Sequence, residues 1–249
     1  MSGAVLVDQT EDVVTLRLNR PEVLNALTVE MLVDVATGIR LHGNSGGTRA
    51  VILTGQGRAF SSGDDLKATD AIDRDSFETL IDAFQDVTRA ITETEAPVIA
   101  ALNGIAVGGA AEIACACDLR VGGPTSEFLF PENGLGLTIS NGSTATLPAL
   151  VGPRALGLVL LGERITGERA RDLGFIDVWV EDPGEVEGEA RRIGLGLGPT
   201  TMLHLSMLRL PASEIEAALR RERDAAMTAW DRGWPQAGVR RFLERRTGR

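Results

Sequence analysis

Two glutamates supply the carboxyl groups with which this sequence could perform acid–base chemistry. Glu112 lies in the small and apolar run AVGGAAEIACACDL, three residues after Gly109. A carboxylate with such neighbours costs free energy unless it is paired, protonated or used in a reaction. Glu132 follows a proline in FPENG. Two carboxyl groups that meet at one substrate can serve as general base and general acid.

Backbone N–H groups near these glutamates could stabilise negative charge. The turn SSGDDL comes after the strand-like run AVILTG, and NGIAVGGAAE leads through glycines into a predicted helix. The N-terminus of a helix presents unpaired N–H groups and a partial positive charge. Donors from two such loops would form an oxyanion hole, which suits a thioester carbonyl that becomes an enolate. Each feature alone also fits an ordinary turn or helix start, so the chemistry depends on their convergence.

Alternating strands and helices must position these residues. The run VTLRL alternates apolar and polar side chains, and PVIAALNG is apolar throughout, so both are predicted strands. Ser76 is predicted to cap an amphipathic helix, and Ser213 with Glu216 forms a predicted capping box for a late helix. This order predicts an α/β core followed by a mostly helical C-terminal part.

Composition and charge exclude several classes of function. The net charge is −10, whereas non-specific nucleic-acid binding requires clustered positive charge. The longest apolar run, GLVLLG, is too short to cross a membrane, and residues 1–12 lack the pattern of a signal peptide. A cytoplasmic protein is therefore expected. Cys115 and Cys117 would face different ways on a helix, so neither a disulfide nor a metal site is expected.

Several motifs together resemble the crotonase family, also called the enoyl-CoA hydratase/isomerase family. Their order and spacing match that family over roughly residues 5–245, and they are LNRPEVLNAL, GRAFSSGDDL, ALNGIAVGGAAEIACACDLRV, FLFPENGLGL and ITGERARDLGFIDVWV. The resemblance implies an α/β fold in which repeated ββα units form a spiral, here over residues 1–195. It also implies a helical C-terminal region, here 196–249, that builds homotrimers or hexamers.

The resemblance further implies roles for individual residues. The backbone N–H groups of Asp64 and Gly109 would form the oxyanion hole, and Glu112 and Glu132 match the two glutamates that the family's hydratases use. Glu132 is expected to give a proton to the α-carbon, while Glu112 activates water. The residues expected to bind the substrate are Ala26, Ala59, Ser62, Gly63, Leu66, Lys67, Gly108, Leu135 and Gly136. Coenzyme A would be part of the substrate, and no metal or separate cofactor is expected.

Two features depart from the family pattern. Asp64 stands where hydratases often carry a small residue, and its carboxylate is expected to turn toward solvent, away from an enolate. The stretch GLTISNGSTATL replaces a loop rich in glycine and proline that lines the acyl pocket, so it bears on which acyl group is bound.

A side chain at Gly109 would enter the substrate's space, so Gly109→Val is expected to fold yet lose activity.

These observations predict an enoyl-CoA hydratase, which adds water across the 2,3 double bond of an enoyl-CoA thioester. A Δ3,Δ2-enoyl-CoA isomerase, which needs a single base, is the alternative within the same family. A non-catalytic member that binds acyl-CoA or RNA is the alternative of a different class. The net charge of −10 and the presence of both glutamates favour an enzyme over that last alternative.

Overall fold

The computed structural model describes residues 3–66 and 72–247, which form two β-sheets and the helices that cover them. The strands within these residues are β1 (Val5–Thr10), β2 (Val13–Leu18), β3 (Ala50–Gly55), β4 (Ala59–Ser61), β5 (Val98–Leu102), β6 (Ile105–Val107), β7 (Leu119–Gly122), β8 (Phe128–Leu129) and β9 (Val178–Trp179). The helices are α1 (Val29–Gly43), α2 (Arg74–Glu93), α3 (Gly109–Ala116), α4 (Glu132–Leu135), α5 (Ser143–Val151), α6 (Arg154–Leu161), α7 (Gly167–Leu173), α8 (Val186–Gly196), α9 (Thr201–Leu208), α10 (Ala212–Asp231) and α11 (Trp234–Thr247).

The two sheets are built by a repeated order of elements. In the described part of the chain, the larger sheet has the order β1-β2-β3-β5-β7-β9 and the smaller sheet the order β4-β6-β8. Only β1 and β2 pair antiparallel among these neighbours. Each of β3, β5 and β7 is followed along the chain by a strand of the smaller sheet and then by a helix. This ββα repetition confirms the predicted spiral.

The larger sheet is covered on both faces, which explains a difference from the sequence pattern of β2. The alternation of apolar and polar side chains in VTLRL is typical of a strand with one solvent-exposed face, but Thr15 is fully buried. Val14 and Leu16 pack in the main core with α1, whereas Val13 packs in a second core with Val186 of α8. Strands of parallel sheets are commonly buried in this way, because helices cover both faces.

Two predicted helix caps are wrong. The N-cap of α2 is Asp73, whose carboxylate accepts a hydrogen bond from the backbone N–H of Ser76 at 2.9 Å, so Ser76 lies within the first turn. The capping box is likewise absent, because α10 begins at Ala212 and already contains Ser213. Glu216 instead pairs with Arg89 of α2 at 2.7 Å. At the first helix the neighbouring Asp73 takes the cap position from Ser76. At the second, Arg89 binds the glutamate of the expected capping box.

Helix α10 packs against α2 and thereby reaches the core. The rings of Phe77 and Trp230 stack with their centroids 4.5 Å apart, and the Arg89–Glu216 pair joins the same two helices. Within the described residues no single helix has the length and apolar composition needed to span a bilayer. Helices α5 and α6 would suffice only as a pair, and they are bent by 119°.

Candidate active site

A cleft opens at one edge of the smaller sheet. The strands β4, β6 and β8 run parallel, so their carboxyl ends meet at this edge. The segments that follow them carry Asp64, Gly109 with Glu112, and Glu132, respectively, and all four residues line the cleft. Residues of α10 form the opposite wall. The cleft holds about 570 Å³ of empty space, part of which is open to solvent.

Two glycines allow the first two segments to approach each other closely. Gly63 has φ +79° and Gly108 has φ +55°, conformations that side chains rarely adopt. A Cβ on Gly63 would also lie 2.4 Å from the carbonyl oxygen of Val107. Helix α3 begins at Gly109, so the N–H of that residue has no acceptor within its own helix. Asp64 lies next to this helix N-terminus, since its Oδ1 is 3.0 Å from the position of a Cβ on Gly109.

Glu112 is buried and firmly held. One carboxylate oxygen, Oε2, accepts hydrogen bonds from the N–H of Ser140 at 2.7 Å, the N–H of Asn141 at 2.8 Å and the hydroxyl of Ser143 at 2.8 Å. Burial raises the pKa of Glu112 to about 7, against the opposing effect of these donors. Glu112 can therefore exist in either protonation state near neutral pH, as a general base requires.

Glu132 is also buried but is held differently. Burial raises its pKa well above the usual range, and the neighbouring carboxyls of Glu112 and Asp64 raise that pKa further. Its Oε2 has no hydrogen-bond partner among the residues that the structure describes. A carboxyl group in this state holds its proton more strongly than an exposed one and has an atom free to face a ligand. These are the properties of a general acid.

Asp64 does not turn toward solvent, contrary to the expectation from its sequence position. Its side chain is half-buried in the cleft wall, and burial raises its pKa to about 6, while its own backbone N–H opposes this shift. The site therefore contains three carboxyl groups, and each has a raised pKa. Repulsion between the charged forms favours keeping at least one of them protonated.

The expected substrate-binding residues divide into three groups. Those that line the cleft are Ser62, Gly63, Leu66, Gly108 and Leu135. Three others are not among the described residues that line the cleft, namely Ala26, Ala59 and Gly136. Ala59 lies within β4, where its carbonyl oxygen accepts hydrogen bonds from Asn25 and Asn103. Lys67 falls outside the described residues.

Gly109 has a packing role that its sequence context did not reveal. A Cβ on this residue would lie 2.5 Å from Cε1 and 2.8 Å from Cζ of Phe84, a fully buried ring of α2. This contact argues against the expectation that Gly109→Val folds normally. The added side chain would collide with the core before it could act on a ligand.

Other residues of the cleft were missed in the sequence. Phe77, Ile81 and Ala226 supply apolar surface, and Ser140 supplies a donor to Glu112. The apolar residues follow the ordinary helical spacing of a core stripe, which carries no functional signal. Glu222 does not line the cleft, but it is a buried charge at an apolar position of α10, and this could have been noticed in the sequence. No group of three His, Cys, Asp or Glu side chains that could hold a metal ion occurs within the described ranges.

Comparisons with known proteins agree on one family. A family model described as enoyl-CoA hydratase/isomerase matches residues 8–248. A crotonyl-CoA hydratase from Syntrophomonas wolfei is 31% identical, with 97% of this chain and 95% of the relative covered. A short-chain-enoyl-CoA hydratase from Clostridium acetobutylicum is 36% identical, with 76% of this chain and 73% of the relative covered. The crystal structure of an enoyl-CoA hydratase from Mycobacterium avium subsp. paratuberculosis is similar with a TM-score of 0.86 and 26% identity, covering 97% of this chain and 96% of that one.

Proposed function

The chain belongs to the enoyl-CoA hydratase/isomerase family, and on that basis we propose that it hydrates the 2,3 double bond of an enoyl-CoA thioester. The observation that carries this proposal is the pair of buried carboxyls, Glu112 and Glu132, in one cleft with different environments. Relatives named crotonyl-CoA and short-chain-enoyl-CoA hydratase support it.

The proposed reaction needs both carboxyls. Glu112 in its ionised form takes a proton from water, whose oxygen bonds to the β-carbon as the double bond opens. The electron pair moves through the α-carbon toward the thioester oxygen, which the N–H groups of Asp64 and Gly109 stabilise as an oxyanion. Glu132 then gives its proton to the α-carbon. The proton held by Glu112 restores Glu132 directly or through solvent, so the net change is the addition of one water.

The environments of the two glutamates favour this assignment of roles. The donors on Glu112 stabilise its charged form, whereas Glu132 has an oxygen without a partner in the described structure. The carboxyl with fewer donors keeps its proton more readily, because less compensates for its burial. Glu132 is thus the proton donor and Glu112 the base.

We further propose that the protein assembles as a homotrimer or hexamer.

Two substrates test the proposal. Purified protein is mixed with crotonyl-CoA, and loss of the conjugated double bond is followed by absorbance and by mass. We expect a product heavier by one water. Incubation with a 3-enoyl-CoA separates the alternative, because an isomerase would produce the conjugated thioester with no change in mass. Acyl-CoA binding without conversion of either substrate would contradict both enzymatic functions and favour a non-catalytic binding protein.

A further inference from the structure

A five-residue segment lies between two buried carboxylates. This segment, Ser140–Asn141–Gly142–Ser143–Thr144, is called the SNGST segment below. Its first two N–H groups donate to Glu112, as described above. Its N–H groups at Gly142 and Thr144 donate to Glu222 at 2.7 and 2.6 Å, and each of these bonds reaches a different carboxylate oxygen. The proposed general base and a residue of the C-terminal helix α10 are thus bridged by one stretch of backbone.

Glu222 satisfies donors that the SNGST segment cannot satisfy itself. Helix α5 begins at Ser143, and its N-cap is Gly142, which has no side chain to accept from the first N–H groups. Glu222 is only 2% exposed and occupies the same apolar stripe as Leu219 and Ala226. A carboxylate buried at such a position is costly without donors, so these two hydrogen bonds account for its presence.

Other side chains hold the segment in place. The amide of Gln85 donates to the carbonyl oxygens of Ser140 at 3.1 Å and Leu219 at 2.8 Å. The hydroxyl of Thr88 donates to the carbonyl oxygen of Asn141 at 3.0 Å, and the Asn141 amide donates to that of Gly109 at 3.1 Å. The segment is therefore tied to α2, α3 and α10 at once. Its N–H groups can point at Glu112 only while these ties are kept.

We propose that Glu222 is a positioning residue for the general base: it orients the SNGST segment so that the segment's N–H groups hold the Glu112 carboxylate. The role in hydration rests on the proposed function, whereas the structural link between the two carboxylates does not. Glu222 is not among the described residues that line the cleft, so its effect passes through the SNGST segment. It acts by fixing donors that Glu112 needs when it is charged.

The charged groups around this pair set the direction of the expected effect. Glu112 faces the carboxyls of Glu132 and Glu222, and the negative charge of Glu222 raises the pKa of Glu112. Burial raises the pKa of Glu222, whereas the hydrogen bonds from Thr144 and Gly142 and the charge of Arg221 on its own helix lower it. The Arg221 guanidinium also donates to the Thr144 hydroxyl at 3.3 Å. Loss of Glu222 therefore acts on Glu112 in two opposite ways: it removes a repulsion that raises the pKa of Glu112, and it releases the donors that lower this pKa.

The test combines Glu222→Gln and Glu222→Ala with the control Glu216→Gln on the same helix. The carboxyl ¹³C signal of Glu112 is titrated by NMR in each protein without substrate. We expect Glu222→Ala to raise the midpoint of Glu112 by about one pH unit, because the misplaced donors matter more than the lost repulsion, and the control to leave it unchanged. A lower midpoint in both Glu222 variants would show that Glu222 acts through its charge alone and would overturn the positioning role. Glu222→Asp, which retains the charge on a shorter side chain, should also raise the midpoint, and it replaces Glu222→Ala if that variant fails to fold.

Kinetics provide the second readout. We expect Glu222→Ala to reduce kcat for crotonyl-CoA about ten- to a hundredfold with little change in KM, since a misplaced base slows the reaction more than binding. Glu222→Ala should move the acidic limb of the kcat/KM profile to higher pH. An unchanged Glu112 titration together with unchanged kcat per folded molecule would overturn the proposal, even if the variants melted earlier. A shifted titration in a protein that hydrates no enoyl-CoA would instead reject the proposed function and retain the link.

Discussion

The active-site carboxyls differ in how many donors they receive, and this difference decides what each can do. Glu112 has three donors to one oxygen, so its charged form is stabilised despite burial. Glu132 is also buried, but its Oε2 has no hydrogen-bond partner among the described residues. Identical side chains therefore acquire opposite tendencies from their surroundings, as proposed for the acid and the base.

At this scale we predict that Glu112→Gln and Glu132→Gln each lower kcat by about a hundredfold or more. An amide occupies nearly the same volume as the carboxyl but cannot exchange the required proton. The measurement is turnover of crotonyl-CoA, with circular dichroism as the control for folding. Glu95→Gln, an exposed site, serves as the matched control. Near-normal turnover in either active-site variant would rule out a mechanism that uses two carboxyls.

Asp64 gives a prediction for stability against pH. Its folded pKa of about 6 lies above the usual value, so the folded state binds the proton more tightly than the unfolded state. The free energy of unfolding therefore falls as pH rises from about 4 to about 6, and the loss persists above that range. Asp64→Asn removes this loss and should be more stable than the parent by about 1–2 kcal/mol at pH 8.

Urea unfolding at pH 8 and at pH 4 checks this prediction, because the difference between the two proteins should largely disappear at pH 4. An equal gain at both pH values would show that the Asp64 carboxyl is not responsible.

The raised pKa of Asp64 could not be predicted from the sequence, since SSGDDL indicates a turn but not the direction of its side chains. Glu112 could be noticed in the sequence, because a charge in an apolar run is costly, but its proposed role depended on the other motifs as well.

At the scale of elements, apolar runs predicted β3 and β5, and a short strand was also expected near β8, whereas β4 and β6 of the smaller sheet were missed. Its strands have only two or three residues each, which is too short for a periodic pattern. They form because β4, β6 and β8 pair with one another across the spiral. The three site segments follow these same short strands, so the convergence of the site became visible only in the structure.

Helix α3 and α2 meet at a glycine, and this contact gives a second stability prediction. Gly109→Ala places a Cβ against the Phe84 ring and should lower the free energy of unfolding by about 1–3 kcal/mol. Gly188→Ala on α8 is the matched control, because nothing lies within 4 Å of its added Cβ. That control should be neutral or stabilising by up to about 1 kcal/mol, since alanine favours a helix.

Urea unfolding of the two variants and of Gly109→Ala combined with Phe84→Leu completes this experiment. The smaller leucine gives the added methyl group room, so the double variant should lose less stability than the sum of the single changes. Additive losses would show that the Phe84 contact does not limit residue 109. Turnover measured on the same samples separates this packing role from the proposed oxyanion role of the Gly109 N–H.

At the scale of the whole molecule, α9 is an apolar helix without a buried residue. Met202, Leu203, Met207 and Leu208 are exposed by 50%, 57%, 68% and 81%, respectively. A helix of eight residues is marginal alone in water, and large exposed apolar patches commonly mark contact surfaces. The proposed trimer or hexamer would explain this surface if copies of the chain cover it, as the predicted role of region 196–249 implies.

We therefore predict that light scattering during gel filtration gives three or six times the chain mass of 26.4 kDa. Leu203→Glu combined with Met207→Glu places two charges on one face of α9 and should shift the protein toward smaller species, because burying unpaired charges is costly. Leu41→Glu is the matched control, since Leu41 is 61% exposed on α1. A monomeric parent protein would contradict the proposed assembly, whereas an intact oligomer carrying both α9 charges would place its contacts elsewhere on the surface.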